Sequence, residues 1–140
     1  MTRVLGVDLG SRRIGVAVCD DNRRVATPVT TLRRGENRAE DHKHLAALAA
    51  DYGAREIVVG LPLTMSGTAG PAADAVLVEV EEMRAVVAVP VHTHDERLST
   101  VSARGALRDA GRRGRRQRDV VDQVAAAVIL QSWLDSRTGK

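Results

Sequence analysis

Two apolar runs open the chain. "RVLGVD" (Arg3 to Asp8) and "IGVAVCD" (Ile14 to Asp20) each have the length of one strand, and the polar stretch "LGSRR" between them is short enough for a hairpin. "RVATPVTTL" (Arg24 to Leu32) is β-branched and predicts a third strand, where Pro28 points to a sheet edge or a bulge. In "NRAEDHKHLAALAADYG" the residues Leu45, Leu48, Ala49 and Tyr52 recur at helical spacing, and Gly53 is a C-terminal stop. "EIVVG" (Glu56 to Gly60) is a continuous apolar run, as expected of a strand buried on both faces. The loop "LPLTMSGTAG" follows, and Pro71 then opens a helix at its favoured first position. Val76, Leu77, Val80, Met83 and Val87 form its stripe. "VAVPVHTH" predicts another strand. "STVSARGALRDAG" predicts a helix capped by Ser99 and ended by Gly111. The last helix is expected from about Asp119 to Asp135. The order β-β-β-α-β-α-β-α-α implies a mixed five-stranded α/β sheet with helices on its faces.

The 140 residues make one domain of ordinary size, residues 1–140, with one core. With one Trp, one Tyr and no Phe, that core must be built from Val, Leu, Ile and Ala. Trp133 falls on the apolar side of the last helix and is expected in it. No apolar run reaches the length of a membrane span, and no signal segment opens the chain, so a cytoplasmic protein without a membrane partner is expected. Cys19 lies in a strand pattern and reads as a small buried hydrophobe.

Charge changes the picture at one place. The formal net charge is only +3, but "GRRGRRQR" (Gly111 to Arg118) carries Arg112, Arg113, Arg115, Arg116 and Arg118. Such a cluster suits a polyanion. The scarcity of aromatics leaves no platform for stacking bases, so binding would rest on phosphates and shape.

Three acids stand at ends of elements. Asp8 ends the first strand, Glu96 follows the strand in "HTHDERLST", and Asp122 lies near the start of the last helix. If the first strand is central, all three can converge. Carboxylates so placed repel one another unless cations neutralise them, and hard oxygen donors select Mg²⁺ or Mn²⁺. A carboxylate-held pair of such ions, ~3.5–4 Å apart, is the machinery of phosphodiester cleavage. Taken singly, each acid has a plainer reading: a turn cap for Asp8, a surface charge for Glu96, a helix-dipole partner for Asp122.

These motifs resemble the YqgF family, also called RuvX, within the RNase H-like superfamily. "GVDLGSRRIGVAV", "EIVVGLPLTMSGTAGP", "DERLSTVSAR" and "VDQVAAAVILQSWLD" resemble the family's motifs in order, over nearly the whole chain. The resemblance implies an RNase H-like fold and a divalent-metal nuclease with Asp8, Glu96 and Asp122 as catalytic acids and metal ligands. It implies a role in maturing the 5′ end of pre-16S rRNA in ribosome biogenesis; the alternative is a Holliday junction resolvase acting on four-way DNA junctions. A monomer serves the first, a homodimer the second.

Other residues have two readings each. In the first turn, Gly10, Ser11, Arg12 and Arg13 let a phosphate backbone approach. Thr64, Ser66 and Thr68 are hydroxyl donors for phosphates, or belong to a loop shaped by Gly60, Gly67 and Gly70. Arg97 meets a phosphate or pairs with an acid such as Asp95. His92 and His94 alternate on one strand, but without a third nitrogen or sulfur ligand they make a poor zinc site. The family pattern tends to a basic residue where this chain has Asp119. It is read as the helix N-cap or as a fourth metal ligand beside Asp122. Two rivals are an actin-like kinase, which needs two such domains around its nucleotide, and a non-catalytic nucleic-acid-binding module, which would be expected to lack the acids.

Overall fold

The computed structural model describes residues 2–98 and 115–137, with the backbone alone for 98 and 115–118. Five strands, β1 (Arg3–Leu9), β2 (Arg13–Cys19), β3 (Ala26–Arg33), β4 (Ala54–Leu61) and β5 (Val91–Asp95), form one sheet. Its order is β3-β2-β1-β4-β5. The first three strands are an antiparallel meander, and β1, β4 and β5 run parallel. The expected mixed sheet is therefore present, with β1 at its centre. The described helices are α1 (Arg38–Asp51), α2 (Pro71–Val86) and α3 (Arg115–Arg137), and a 3-10 turn, Glu96–Leu98, follows β5. The helix expected over 99–111 lies outside the described residues.

The central strands explain themselves. Leu5, Val7, Ile57 and Val59 pack with Leu45 of α1 and Val76, Val80 and Met83 of α2. Val4 and Val58 point the other way, into a second core with Ala126, Ile129, Leu130 and Trp133 of α3. Side chains alternate along a strand, so β1 and β4 need apolar residues at nearly every position. Cys19 and Trp133 are buried in that second core, as expected. Pro28 sits on the edge strand β3, and the register with β2 slips beside it, where Val16 pairs with Thr30 but Ala17 pairs with Pro28.

Asn37 caps α1 by accepting from the Glu40 amide at 2.9 Å. Gly53 ends it in the left-handed region, at φ 67°. Pro71 takes the first turn of α2. Three expectations are corrected. Leu77 faces outward, 39% exposed, and Glu79 takes a buried place on that helix. The fifth strand begins at Val91, because Pro90 precedes it and "VAV" leads out of α2. The last helix starts at Arg115, directly after Gly114, one turn before Asp119. Arg is a good helix former, and the run read as a loop carries the helix start.

Candidate active site

Asp8 lies at the end of β1 on the same face as Val4 and Gly6, the face that α3 covers. It is 6% exposed. Glu96 opens the 3-10 turn directly after β5 and is 8% exposed. Asp122 reaches the same place from α3. The three carboxylates, with Gly10, Gly60 and Ala72, line one cavity of about 350 Å³. The expected convergence of Asp8, Glu96 and Asp122 on one cavity is thus found.

Two glycines make room for it. A Cβ on Gly15 would stand 2.0 Å from the Asp122 carbonyl oxygen, so α3 can lie on β2 only where β2 has no side chain. A Cβ on Gly60 would stand 2.6 Å from Glu96 Oε2 and 2.5 Å from Ile129 Cδ1. Close packing of this kind leaves no space for a methyl group.

Arg13 shapes the rim. Its Nε donates to Asp122 Oδ2 at 2.6 Å and lies 3.8 Å from Asp119 Oδ1. A smaller cavity of about 200 Å³, lined by Gly10, Ser11, Arg12, Arg13 and Asp122, adjoins the acids. The first-turn residues expected to meet a phosphate are therefore beside the carboxylates. Asp119 is not the helix N-cap, since α3 begins a turn earlier. Its Oδ2 accepts from Arg33 Nη2 at 3.4 Å, while its Oδ1 is buried with no hydrogen-bond partner. No group of three or more His, Cys, Asp or Glu among the described residues is spaced to hold one metal ion. Asp8, Glu96 and Asp122 share a cavity without closing on one point, and Asp122 is turned onto Arg13.

The remaining candidates sit elsewhere. Thr64, Ser66 and Thr68 bond one another at 2.8–3.2 Å in a loop turned by Gly67 at φ 85°. Arg97 is a structural pair: its Nη2 donates to Asp95 Oδ2 at 2.6 Å and its Nη1 to the Met65 carbonyl at 3.3 Å. The side-chain hydrogen bonds from Arg97 hold the Asp95 carboxyl below the usual carboxylate range. His92 is engaged by Glu56 at 2.9 Å and stacks on Trp133, and His94 meets Ser132 at 2.8 Å. Burial, opposed by Asp95, pushes the His94 imidazole down. Neither histidine joins a metal cluster among the described residues. Arg112 and Arg113 lie outside the described residues, as do the side chains of Arg115, Arg116 and Arg118.

One buried network has no counterpart among the expectations from sequence. Arg34 follows β3 directly, and its Nε and Nη2 donate to the Gly10 carbonyl at 3.0 and 2.9 Å. Its Nη1 and Nη2 also clasp the Glu79 carboxylate at 2.5 and 2.9 Å. His42 Nε2 meets Glu79 Oε2 at 2.8 Å, and Asp41 takes Arg34 Nη1 at 3.3 Å. Burial pushes the Glu79 carboxyl up, but the hydrogen bonds from Arg34 and His42 outweigh it and hold the group below its usual range. These four side chains tie α1 and α2 to the turn that follows Asp8. The available signal was helical spacing: Glu79 falls with Val76 and Met83 on the buried stripe of α2, and Asp41 and His42 fall with Leu45 on that of α1.

A family model described as "RuvX: Holliday junction resolvase" matches residues 2–136. The chain is 49% identical over 136 residues to a protein of Mycobacterium sp. (strain KMS) named "Putative pre-16S rRNA nuclease", covering 96% of this chain and 80% of that one. It is 50% identical over 137 residues to a protein of the same name from Mycobacterium tuberculosis (strain ATCC 25177 / H37Ra), covering 96% and 79%. Among solved structures it is similar to the RuvC of T. thermophilus in complex with a Holliday junction substrate. That match has a TM-score of 0.54 at 19% identity and covers 99% of this chain and 97% of the other. The last likeness shows the RNase H-like fold. The family match and the identities with its mycobacterial relatives, over a site where three acids line one cavity, show that the chain belongs to the RuvX family, a family of nucleases.

Proposed function

We propose that this protein is a divalent-metal-dependent nuclease that hydrolyses phosphodiester bonds in 5′-end processing of pre-16S rRNA. In this reading Asp8, Glu96 and Asp122 are its catalytic carboxylates. The observation that carries the reading is that these acids, from three separate elements, line one cavity although two of them are buried. Burial of like charges is costly without a cation to offset it. The donors are all carboxylate oxygens, which fit Mg²⁺ or Mn²⁺ and not zinc. Asp8 and Glu96 would hold the metal, with Asp122 joining when Arg13 releases it. Asp119, with a buried oxygen lacking a hydrogen bond, is a candidate further ligand. When bound, a pair of such ions activates water and stabilises the leaving oxygen.

The chain's own residues do the positioning. The end of β1 gives Asp8 a rigid base, and Arg34 steadies the turn after it through the Gly10 carbonyl. Ser11, Arg12 and Arg13 line the adjoining cavity, where a phosphate of the strand would lie. Arg112, Arg113, Arg115, Arg116 and Arg118 would add contacts to phosphates further out. No helix among the described residues is long and apolar enough to cross a membrane. A ribosomal RNA precursor as substrate would place the protein in the cytoplasm.

The family description favours a second reading, cleavage of four-way DNA junctions. The two separate in one assay. A precursor RNA and a four-way junction are offered side by side in Mg²⁺ and Mn²⁺, and the protein's mass in solution is measured alongside. Cutting of the RNA by a monomer supports the proposal. Symmetric cutting of the junction by a dimer supports the second reading and ends the first. A non-catalytic module would cut neither.

A further inference from the structure

Arg13 lines the smaller of two cavities that share Asp122. Its Nε donates to Asp122 Oδ2 at 2.6 Å, and Asp122 lines both the cavity of the acids and the smaller one that holds Ser11 and Arg12. Nε is also 3.8 Å from Asp119 Oδ1, the buried oxygen that has no hydrogen bond. The other carboxylate oxygen of Asp119 is taken by Arg33. The site thus places one guanidinium on the carboxylate that a metal would need, and within reach of a second.

That placement has a physical consequence. A guanidinium and a divalent cation both neutralise a carboxylate, and neither binds well to an oxygen that the other holds. The Arg13–Asp122 pair is partly open to water, at 22% and 21% side-chain exposure, so it is worth less than a buried pair and is replaceable. Arg13 has somewhere to go, because the adjoining cavity is lined by its own turn.

We infer that Arg13 is a placeholder cation: it neutralises Asp122 while the metal is absent and competes with the metal for that carboxylate. Asp122 then joins Asp8 and Glu96 only as Arg13 leaves, and the freed guanidinium remains beside the acids, in the place where the proposed function puts a phosphate. This inference rests on the metal-nuclease reading above. It makes Arg13 a positioning residue for Asp122, distinct from a simple phosphate contact. A pure phosphate contact would leave the affinity for metal alone untouched.

The test needs no nucleic acid and no cleavage. Binding of Mn²⁺ to the whole protein is followed by the electron paramagnetic resonance signal of the free ion. Wild type, Arg13→Gln, Arg13→Lys and Asp8→Asn are compared, each checked for folding by thermal melting in chelator. Arg13→Gln is expected to bind Mn²⁺ at least threefold more tightly than wild type. Arg13→Lys keeps the charge but loses the planar fork, and is expected between the two. It also carries the test if the glutamine variant does not fold. Asp8→Asn is expected to lose the binding. If Asp8→Asn weakens Mn²⁺ binding while both Arg13 variants bind as wild type or more weakly, the placeholder is overturned and the metal site stands. If Asp8→Asn binds as wild type does, the metal reading fails, and the inference with it.

Discussion

Asp8 shares its strand face with Val4 and Gly6, and α3 covers that face. Its burial follows from its place in β1, and so did its legibility: an acid after alternating apolar residues, at the end of a strand, is a side chain held where an apolar one belongs. Glu96 and Asp122 were readable in the same way, as acids at element ends, and the structure brings both to Asp8. Gly15 was legible only as a glycine. Whether a glycine turns the chain or admits a helix depends on what crosses it, and that partner lies more than a hundred positions away. Asp8→Asn removes one of three mutually repelling charges and fills the same volume. It is expected to abolish cleavage in Mg²⁺ while leaving the melting temperature equal or higher. Gly15→Ala puts a methyl group 2.0 Å from the Asp122 carbonyl and forces α3 away. Overpacking of this sort costs about 1–3 kcal/mol, and a urea titration is expected to show at least that loss together with reduced cleavage, since Asp122 moves with the helix.

The elements were legible where their pattern was pure. β1, β2 and β4 are nearly unbroken apolar runs, α1 has its apolar spacing and its glycine stop, and Pro28 marked both the edge and the slip in register. Legibility failed where charge and helix coincide. The arginines before Asp119 look like a solvated loop, yet the helix starts among them, and so Asp119 is no cap. Asp119→Ala should therefore spare the ~1 kcal/mol that a lost N-cap costs. Differential scanning calorimetry in chelator is expected to show a smaller loss or a gain, and a loss of that size or more would contradict the assignment. The network under the Gly10 carbonyl was hidden for a similar reason, because Asp41, His42 and Glu79 are residue types that an amphipathic helix ordinarily turns to solvent. Glu79 has its carboxyl held below the ordinary 4.5, with burial raising it and the hydrogen bonds from Arg34 and His42 lowering it further. A carboxyl depressed in the folded state contributes stability that is complete above its unfolded value. That stability is lost as pH falls through the lower folded one. Glu79→Gln removes the charge of the clasp but leaves Arg34 its bonds to Asp41 and to the Gly10 carbonyl, and is expected to cost about 1–3 kcal/mol at pH 7. Its urea midpoint should also fall less steeply than that of wild type below the ordinary carboxylate range. An equally steep acid limb would show that Glu79 does not carry that part of the pH dependence.

At the scale of the whole molecule, one central strand organises everything. β1 is hydrogen-bonded to an antiparallel neighbour on one side and a parallel neighbour on the other, so the hairpin turn, the end of β4 and the crossing helix all meet where β1 ends. A mixed sheet with helices on its faces followed from the alternation of strands and helices, but the depth at which α3 lies on the sheet did not, because it is set by single missing methyl groups. The molecule's charge is concentrated in the arginines from Arg112 to Arg118, and in the proposed function these touch phosphates away from the acids. Changing Arg112, Arg113, Arg115 and Arg116 to Ala together is expected to weaken nucleic-acid binding. It should also flatten the log–log salt dependence by roughly 0.7–0.9 for each phosphate no longer neutralised. An unchanged slope in filter binding between low and moderate salt would remove these arginines from the interface.

The central claim is that three carboxylates in one cavity cut a phosphodiester bond with the help of a divalent metal. Its most direct measurement is cleavage of a 5′-extended precursor of 16S rRNA by purified wild type and Asp8→Asn protein, at equal concentration, in Mg²⁺, in Mn²⁺ and in chelator. The account predicts product from the wild type in either metal, none in chelator, and none from Asp8→Asn under any of the three conditions although that protein melts no lower than the wild type does. Cutting by Asp8→Asn at the wild-type rate, or wild-type cutting that persists in chelator, would contradict it.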